Sequence, residues 1–401
     1  MNIKILIELI ENISNSTRDG SISETVQEEL RDVELSLVDK AIIDAYLLRQ
    51  SGKIADAIEK WRSIANIAEE ADNELAAHAW FSMGGLLSDN NPEEALLAYN
   101  KAIHLDSQYT DAYYNRARAK SRLRHYEAAI VDFDAALRLK PDYTEAYSNR
   151  GIAKGALGYH EDAIADFDKS IKINPDNAYA YFRRGHAKVE LERYADAIAD
   201  FDKGLQLESN HAQTYFDRGY ATLELERYEE AIEDFDKGLK LKPDDAQAYF
   251  VRGYVKYEIG EYEAAIKDFD HTIRLEPEHS PAYNNRAHLK NKLRQYESAL
   301  ADCDESIRLN FDDAWPYINR GFAKIKLGQI ESALTDCDEA VQRDPSLAEA
   351  YHTRGEANAL LGRTPEAKAD LQKALELAEQ TDNQDLKTEI EQSLQKLDHA
   401  E

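Results

Sequence analysis

The sequence predicts an all-α fold, a solenoid of antiparallel helix pairs, and three observations lead to this prediction. Residues 110 to 381 repeat with a period of 34, in eight consecutive units without an insertion. In every unit the eighth position is glycine or alanine and the twentieth is alanine, so two helix backbones can approach closely. Turn residues or prolines then end each helix at regular places. Such units cannot bury their apolar faces alone and must stack on one another.

Large side chains at two further positions are expected to fill the space between neighbouring helix pairs. The fourth position is always tyrosine: Tyr113, Tyr147, Tyr181, Tyr215, Tyr249, Tyr283, Tyr317 and Tyr351. The twenty-fourth is apolar: Phe133, Phe167, Phe201, Phe235, Phe269, Cys303, Cys337 and Leu371. The two cysteines are interpreted as small core residues, because equivalent helices of adjacent units lie too far apart for a disulfide bond.

Four segments follow from this register. Residues 1–37 are predicted to form an N-terminal helical segment, with Ile3 to Ile13 on one apolar stripe that packs on the first repeats. A dimerisation or interfacial helix is the alternative there. Residues 38–109 form two degenerate units and residues 110–381 the eight regular ones. Residues 382–401 are predicted to form a polar capping helix, of the kind such arrays need for solubility.

Composition and charge exclude several functional classes. The 401 residues carry a net charge of −28, which disfavours binding to nucleic acid or to anionic membrane surfaces and favours cationic partners. No apolar run is long enough to span a membrane, and two cysteines suit a reducing, cytoplasmic compartment. No catalytic or metal-binding motif occurs, and scattered histidines such as His288 are interpreted as helix-surface groups. The sequence therefore predicts no enzyme, cofactor or metal site.

Opposite charges recur at fixed places on the two helices of each unit. The seventh position is arginine in all eight units and the twenty-third is aspartate, for example Arg184 and Asp200. This regularity predicts an internal ion pair, with a ligand contact as the alternative. Lysine at position eleven is expected to reach a carboxylate. The second acid of each Asp-Phe-Asp sequence is expected on a solvated face, because residues two apart point to nearly opposite sides of a helix.

The period and these residues resemble the tetratricopeptide repeat family, over Thr110–Thr381 without interruption. The resemblance implies a right-handed superhelix in which the first helix of each unit lines a concave groove. Family members typically bind peptides or partner proteins in such a groove.

The resemblance also implies that positions two, five, nine, twelve and thirteen of each unit face the groove. In the central units these positions hold an aromatic strip bordered by glutamates, which is predicted to bind the partner unless the rings pack internally: Tyr179, Phe182, His186, Val189, Glu190, Phe216, Tyr220, Leu223, Glu224, Phe250, Tyr254, Tyr257 and Glu258. Asparagines at position six are predicted to hold a peptide backbone, in a row that the central units interrupt: Asn115, Asn149, Asn285 and Asn319.

The function expected from the sequence is that of a non-catalytic scaffold, which binds a basic and apolar segment of a partner protein in the groove. One alternative is a self-assembling structural protein joined through its N-terminal helices, for which a homodimer is left open. Another is the sensing or regulatory subunit of an effector enzyme. The sequence does not name the partner.

Overall fold

A computed structural model describes residues 36–381 and 383–399, and every regular element within them is an α-helix. The chain divides into two compact parts, which we number unit 1 (residues 1–209) and unit 2 (residues 210–401). The 34-residue units of the repeat are not numbered. In both units consecutive helices pack as antiparallel pairs, and each pair packs on the next. The predicted all-α fold of stacked helix pairs is confirmed. The expected stripe from Ile3 to Ile13 lies outside the described residues.

Unit 1 holds ten described helices. They are α1 (Leu37–Gln50), α2 (Ile54–Ala68), α3 (Asn73–Leu87), α4 (Pro92–Leu105), α5 (Thr110–Arg122), α6 (Tyr126–Leu139), α7 (Thr144–Ala156), α8 (His160–Ile173), α9 (Ala178–Val189) and α10 (Tyr194–Leu207). The first four belong to the degenerate repeats and bury Trp61, Trp80 and Tyr99 in one cluster.

Unit 2 holds eleven described helices. They are α11 (Ala212–Leu223), α12 (Tyr228–Leu241), α13 (Ala246–Glu258), α14 (Tyr262–Leu275), α15 (Ser280–Lys292), α16 (Tyr296–Leu309), α17 (Trp315–Lys326), α18 (Ile330–Arg343), α19 (Ala348–Leu360), α20 (Thr364–Gln380) and α21 (Gln384–Asp398). Helix α21 packs on α19 and α20 and buries Leu386, Ile390 and Leu397. Its exposed residues are mostly polar or charged.

The turn between the two helices of a unit passes through the left-handed region at position fifteen. Glycine occupies this position in four regular units, for example Gly158 with a φ of 80°. The other four units hold arginine or glutamate, for example Glu192 with a φ of 58°. Residues with a Cβ atom are strained in this region, so the sequence keeps the turn at some energetic cost in half of the regular units.

The small eighth position and the large twenty-fourth position of a unit fit together. A Cβ atom added at Gly185 would lie 2.6 Å from the ring of Phe201, and one added at Gly151 would lie 2.9 Å from the ring of Phe167. Cys303 and Cys337 occupy the equivalent place in two later units, where both are buried and free. Their complete burial confirms them as core residues, and it raises the pKa of both thiols.

Candidate protein-binding surface

The predicted ion pair is present in all eight regular units. The arginine at position seven donates two hydrogen bonds to the aspartate at position twenty-three, with Nε–Oδ2 distances of 2.8–3.0 Å and Nη2–Oδ1 distances of 2.5–2.6 Å. All eight aspartates are buried. The same guanidinium lies 5.3–5.6 Å from the ring of the tyrosine three residues earlier. These arginines therefore belong to the scaffold.

The lysine at position eleven binds the same buried aspartate. In six units its Nζ lies 2.7–2.8 Å from Oδ2, for example between Lys188 and Asp200. The expectation that this ammonium reaches a carboxylate is confirmed. Each of these aspartates thus accepts hydrogen bonds from two cations, which compensates for its removal from water.

The second acid of the Asp-Phe-Asp sequence is a correction to the sequence analysis. It was expected to be only solvated, but it binds the arginine of the following unit. The Nη1 of Arg184 lies 2.5 Å from Oδ1 of Asp168, and Arg286 binds Asp270 in the same way. The two acids do point to opposite sides of their helix. The second acid is exposed as expected, 55% in Asp168, and it also reaches the arginine of the next repeat.

The expectation of an exposed aromatic strip fails at Phe182 and Phe216. Their exposed fractions are 5% and 3%. Each ring lies against the glycine at position twenty-seven of its own repeat. A Cβ atom added at Gly204 would lie 2.2 Å from the Phe182 ring, and one added at Gly238 would lie 2.2 Å from the Phe216 ring. The alternative of internal packing is the one observed for these two rings.

The residues at positions five and twenty-seven match one another in size, which explains why Phe250 differs. Glycine stands opposite the two buried phenylalanines, whereas Phe250 shares its unit with Thr272. The threonine side chain fills the space that glycine leaves open. Phe250 is therefore only half-buried, and its ring contacts Phe269 and His279 at centroid distances of 5.8 and 4.7 Å.

The remaining predicted residues of unit 1 are exposed, half-buried or hydrogen-bonded within the protein. Tyr179, His186 and Glu190 are exposed and Val189 is half-buried. The amide of Asn149 donates to Oη of Tyr114 and to the carbonyl oxygen of Glu145. The amide of Asn115 likewise donates within its own helix, to the carbonyl oxygen of Asp111. These amides already have partners inside the protein.

Two of the predicted residues in unit 2 pack against its core, and one is exposed. Tyr220 is half-buried, contacts Phe235 at a centroid distance of 5.5 Å and accepts a hydrogen bond from Gln247. Leu223 packs in the same cluster. Glu224 is exposed just after α11.

Five predicted residues meet in one cavity of unit 2, which we call the aromatic cavity. It has a volume of about 400 Å³ and lies between the first helices α13, α15 and α17. Its lining residues are Tyr254, Tyr257, Glu258, Phe269, Asn284, Asn285, His288, Leu289, Trp315 and Asn319. Tyr254 and Trp315 are 42% and 40% exposed, which is high for aromatic residues.

The aromatic rings of this cavity lie close to one another. The Tyr254 and Tyr257 centroids are 6.1 Å apart, and the His288 ring meets Tyr257 edge to face at 5.7 Å. The neighbouring Glu258 carboxylate raises the pKa of Tyr254 to about 12. Among these lining residues Glu258 carries the only carboxylate, and none is a lysine or an arginine.

A polar network supports the wall of the aromatic cavity. Nδ1 of His288 lies 3.3 Å from Oδ1 of Asn319, whose own amide donates to Oδ1 of Asn284 at 2.9 Å. Burial lowers the pKa of His288 below its usual value. Its Nε2 is buried without a hydrogen-bond partner among the described residues. The interpretation of His288 as a helix-surface group was therefore wrong, because its ring lines the cavity.

A second cavity, the terminal cavity, adjoins the first and shares His288, Trp315 and Asn319 with it. Its volume is about 420 Å³, and the polar face of α21 closes one side with Glu389, Gln392, Ser393 and Lys396. Ser393 Oγ lies 3.3 Å from Nε2 of His352 on α19. The capping helix thus contributes to the surface formed by the first helices, which sequence reasoning did not foresee.

Trp315 and His288 were missed as site residues although a signal was present. They occupy positions two and nine of their units, both of which the family register places on the groove side. The preceding turn departs from the repeat pattern, with Phe311 at the position where proline is usual. Among the residues that the structure describes, no group of three His, Cys, Asp or Glu side chains could hold a metal ion.

The sequence pattern of the tetratricopeptide repeat matches residues 110–143, 178–211, 246–279, 280–313, 316–347 and 348–381, and a related pattern of the family matches 156–191 and 219–260. Together they cover more than half of the chain. The chain belongs to the tetratricopeptide repeat family. Proteins of this family are generally non-catalytic scaffolds for protein interactions. In the described part of this repeat protein, no helix has the length and apolar character needed to cross a membrane.

Solved structures of other repeat proteins resemble this one in part. YrrB, described as a repeat protein with an unusual peptide-binding site, is 25% identical over 46% of this chain and 95% of its own, with a TM-score of 0.41. A repeat protein from Parabacteroides merdae is 20% identical over 62% and 99%, with a TM-score of 0.45. Yeast Tom70 is 15% identical over 90% and 96%, with a TM-score of 0.39. No curated protein matches the chain.

Proposed function

We propose that this protein is a scaffold that binds an extended segment of a partner protein along the first helices of unit 2. The observation that carries the proposal is the aromatic cavity, where Tyr254 and Trp315 expose large aromatic surfaces beside half-buried Tyr257. Exposed aromatic residues in a concave site are frequent anchors for protein partners. Water-exposed rings of this size would otherwise be costly to keep.

The shape of the surface supports an extended occupant. The aromatic and terminal cavities share three lining residues and together involve α13, α15, α17, α19 and α21. Successive first helices are about 8–10 Å apart in packed helical arrays. An extended peptide spans this spacing with about three residues, at about 3.3 Å for each. A short segment could therefore place one side chain in each cavity.

Selection of a random heptapeptide library on the full-length protein tests this proposal. The variants Tyr254→Ala and Trp315→Ala should each weaken the selected peptides by about tenfold or more, because each removes an aromatic anchor of roughly 1.5–3 kcal/mol. Both side chains are well exposed, so the fold should persist, which circular dichroism and thermal unfolding can verify.

Matched controls come from unit 1. Tyr159→Ala removes an exposed tyrosine from the turn just before the second helix α8, and Tyr179→Ala removes one from the strip that the sequence predicts. Neither should change binding. A result in which Tyr179→Ala abolishes binding while Tyr254→Ala and Trp315→Ala do not would contradict the proposal and return recognition to the strip in unit 1.

A further inference from the structure

We propose that the aromatic cavity receives an arginine side chain of the bound segment, with the Glu258 carboxylate as its counter-ion. This inference rests on the proposed function, because it names the chemistry that the binding surface recognises. It assigns the cavity to a guanidinium rather than to an apolar side chain of the same size. Three independent features of the cavity lead to this assignment.

The first feature is charge. Glu258 contributes the carboxylate of the lining, beside the Tyr254 hydroxyl whose pKa it raises. A carboxylate accepts several hydrogen bonds, so it can bind the planar fork of a guanidinium through two of them. The whole chain carries a net charge of −28, which raises the local concentration of cationic segments around it.

The second feature is the aromatic lining. Tyr254, Tyr257 and Trp315 border the same cavity, and the first two rings lie 6.1 Å apart. Rings of tyrosine and tryptophan attract a cation within about 6 Å of their faces. A guanidinium also stacks on aromatic planes, which an ammonium does not. This favours arginine over lysine.

The third feature is the ring of His288, which lines the cavity without carrying a charge. Its Nδ1 donates to Asn319, since the Asn319 amide group is itself oriented by donating to Asn284. Nε2 is then an acceptor, and it is buried without a partner in the described part of the chain. Because burial keeps the pKa of His288 low, the ring stays uncharged near neutral pH and does not repel a cation.

The ammonium group of Lys292 lies near the aromatic cavity. Lys292 lines the terminal cavity but not the aromatic cavity, and its Nζ lies 5.9 Å from the ring of Tyr262. It lies close enough to His288 to help lower the pKa of that ring. It shares the terminal cavity with Lys396 and with the carboxylates of Glu349, Glu356 and Glu389, so it does not make that side of the site positive.

The test uses peptides selected from the heptapeptide library on the full-length protein, synthesised with a fluorescein label. Peptides that depend on Trp315 should contain an arginine. Replacing that arginine by citrulline, its neutral isostere, should weaken binding by about tenfold, the order expected of a charge-assisted pair with aromatic contacts. Replacing it by lysine should weaken binding by a smaller factor.

Glu258→Gln supplies the decisive comparison. In this variant the arginine and citrulline peptides should bind within about twofold of each other, because the charge that distinguishes them is gone. Glu224→Gln is the matched control, since it removes the same charge at the same repeat position outside the cavity. It should retain the full difference between the two peptides.

The outcomes separate the two proposals. Peptides that need Tyr254 and Trp315 but contain no basic residue, or that bind equally with citrulline, overturn the arginine site and leave the scaffold proposal standing. A loss of the arginine preference in Glu224→Gln as large as in Glu258→Gln also overturns the site, because it would show a long-range charge effect. If no peptide is enriched, or if binding is unchanged in both aromatic variants, the proposed function and the arginine site fail together.

Discussion

The guanidinium of Arg184 binds the carboxylate of Asp200 through two hydrogen bonds, of 2.9 Å from Nε and 2.5 Å from Nη2. The third available nitrogen of the same group, Nη1, binds Asp168 of the preceding repeat. One arginine therefore joins the two helices of its own repeat and also ties that repeat to its neighbour. The two acids differ sharply in environment, since the Asp200 side chain is 6% exposed and that of Asp168 is 55% exposed.

This difference predicts unequal costs for the two acids. Asp200→Asn should lower the free energy of unfolding by about 3 kcal/mol, because it leaves Arg184 and Lys188 without their buried counter-charge. Asp168→Asn should cost less than about 1 kcal/mol, as expected of an exposed pair. Urea unfolding followed by circular dichroism measures both. Equal costs would show that burial does not determine the strength of this ladder.

The contact between Phe182 and Gly204 predicts an effect of overpacking. Gly204→Ala should lower the free energy of unfolding by about 1–3 kcal/mol, because the new methyl group would lie 2.2 Å from the ring. Gly155→Ala is the control: its nearest neighbour would be 4.0 Å away, so the change should be neutral or stabilising by up to about 1 kcal/mol. The double variant Phe182→Leu/Gly204→Ala should recover part of the loss. A fully additive double variant would contradict the packing argument.

The left-handed turn residues predict stabilisation by glycine. Glu192→Gly should raise the free energy of unfolding by about 0.5–1 kcal/mol, since it removes the strain of a Cβ atom at a φ of 58°. The reverse change, Gly158→Ala at a φ of 80°, should cost about 1 kcal/mol although no atom lies within 4 Å of the added methyl group. Thermal unfolding of the two variants beside the parent protein is sufficient. A destabilised Glu192→Gly protein would mean that the side chain makes a contribution larger than the strain.

His78 predicts a pH dependence of stability in unit 1. Burial is the main cause that lowers the pKa of His78 from 6.5 to about 4, with Glu74 acting weakly in the opposite direction. Its ring nitrogens lie 3.3 Å from the hydroxyls of Tyr46, Ser82 and Tyr109. Below pH 6.5 His78 binds a proton in the unfolded chain but not in the folded chain. The free energy of unfolding therefore falls as the pH drops and levels off below about pH 4.

The measurement is urea unfolding followed by tryptophan fluorescence at pH 7 and pH 4.5, because Trp61 lies 5.6 Å from the His78 ring. The loss from this residue should approach about 1.4 kcal/mol for each pH unit within the window. His78→Gln should reduce the difference between the two pH values, whereas His104→Gln, at an exposed position, should leave it unchanged. An undiminished difference in His78→Gln would assign the effect to other groups.

Sequence reasoning succeeds here where a feature repeats and depends on neighbours at fixed separation. The helix pairs and the Arg184–Asp200 pair follow from the period alone, because the two residues are always sixteen positions apart. The pairing of Asp168 with Arg184 was missed because the second helix was considered alone. The side of that helix that faces away from its own first helix faces the first helix of the next repeat.

The candidate site was harder to predict because it depends on departures from the repeat. The strip was centred on Phe182 and Phe216, yet glycines twenty-two residues later make room for both rings. Reading the two positions together would have identified the buried pairs. The aromatic cavity instead forms between α13, α15 and α17, at the point where Trp315 begins α17. Its walls depend on local helix spacing, which no pattern of residue types specifies.

The ion-pair ladder also determines how an array of this kind can change in length. At the boundary between two repeats, the second acid of one repeat binds the third guanidinium nitrogen of the next repeat's arginine, as Asp270 binds Nη1 of Arg286. A copy of one repeat inserted beside its original would find both complementary groups already in place. Gene duplication in steps of 34 residues would thus preserve these ionic links, whereas an insertion within a helix would move the paired residues out of register.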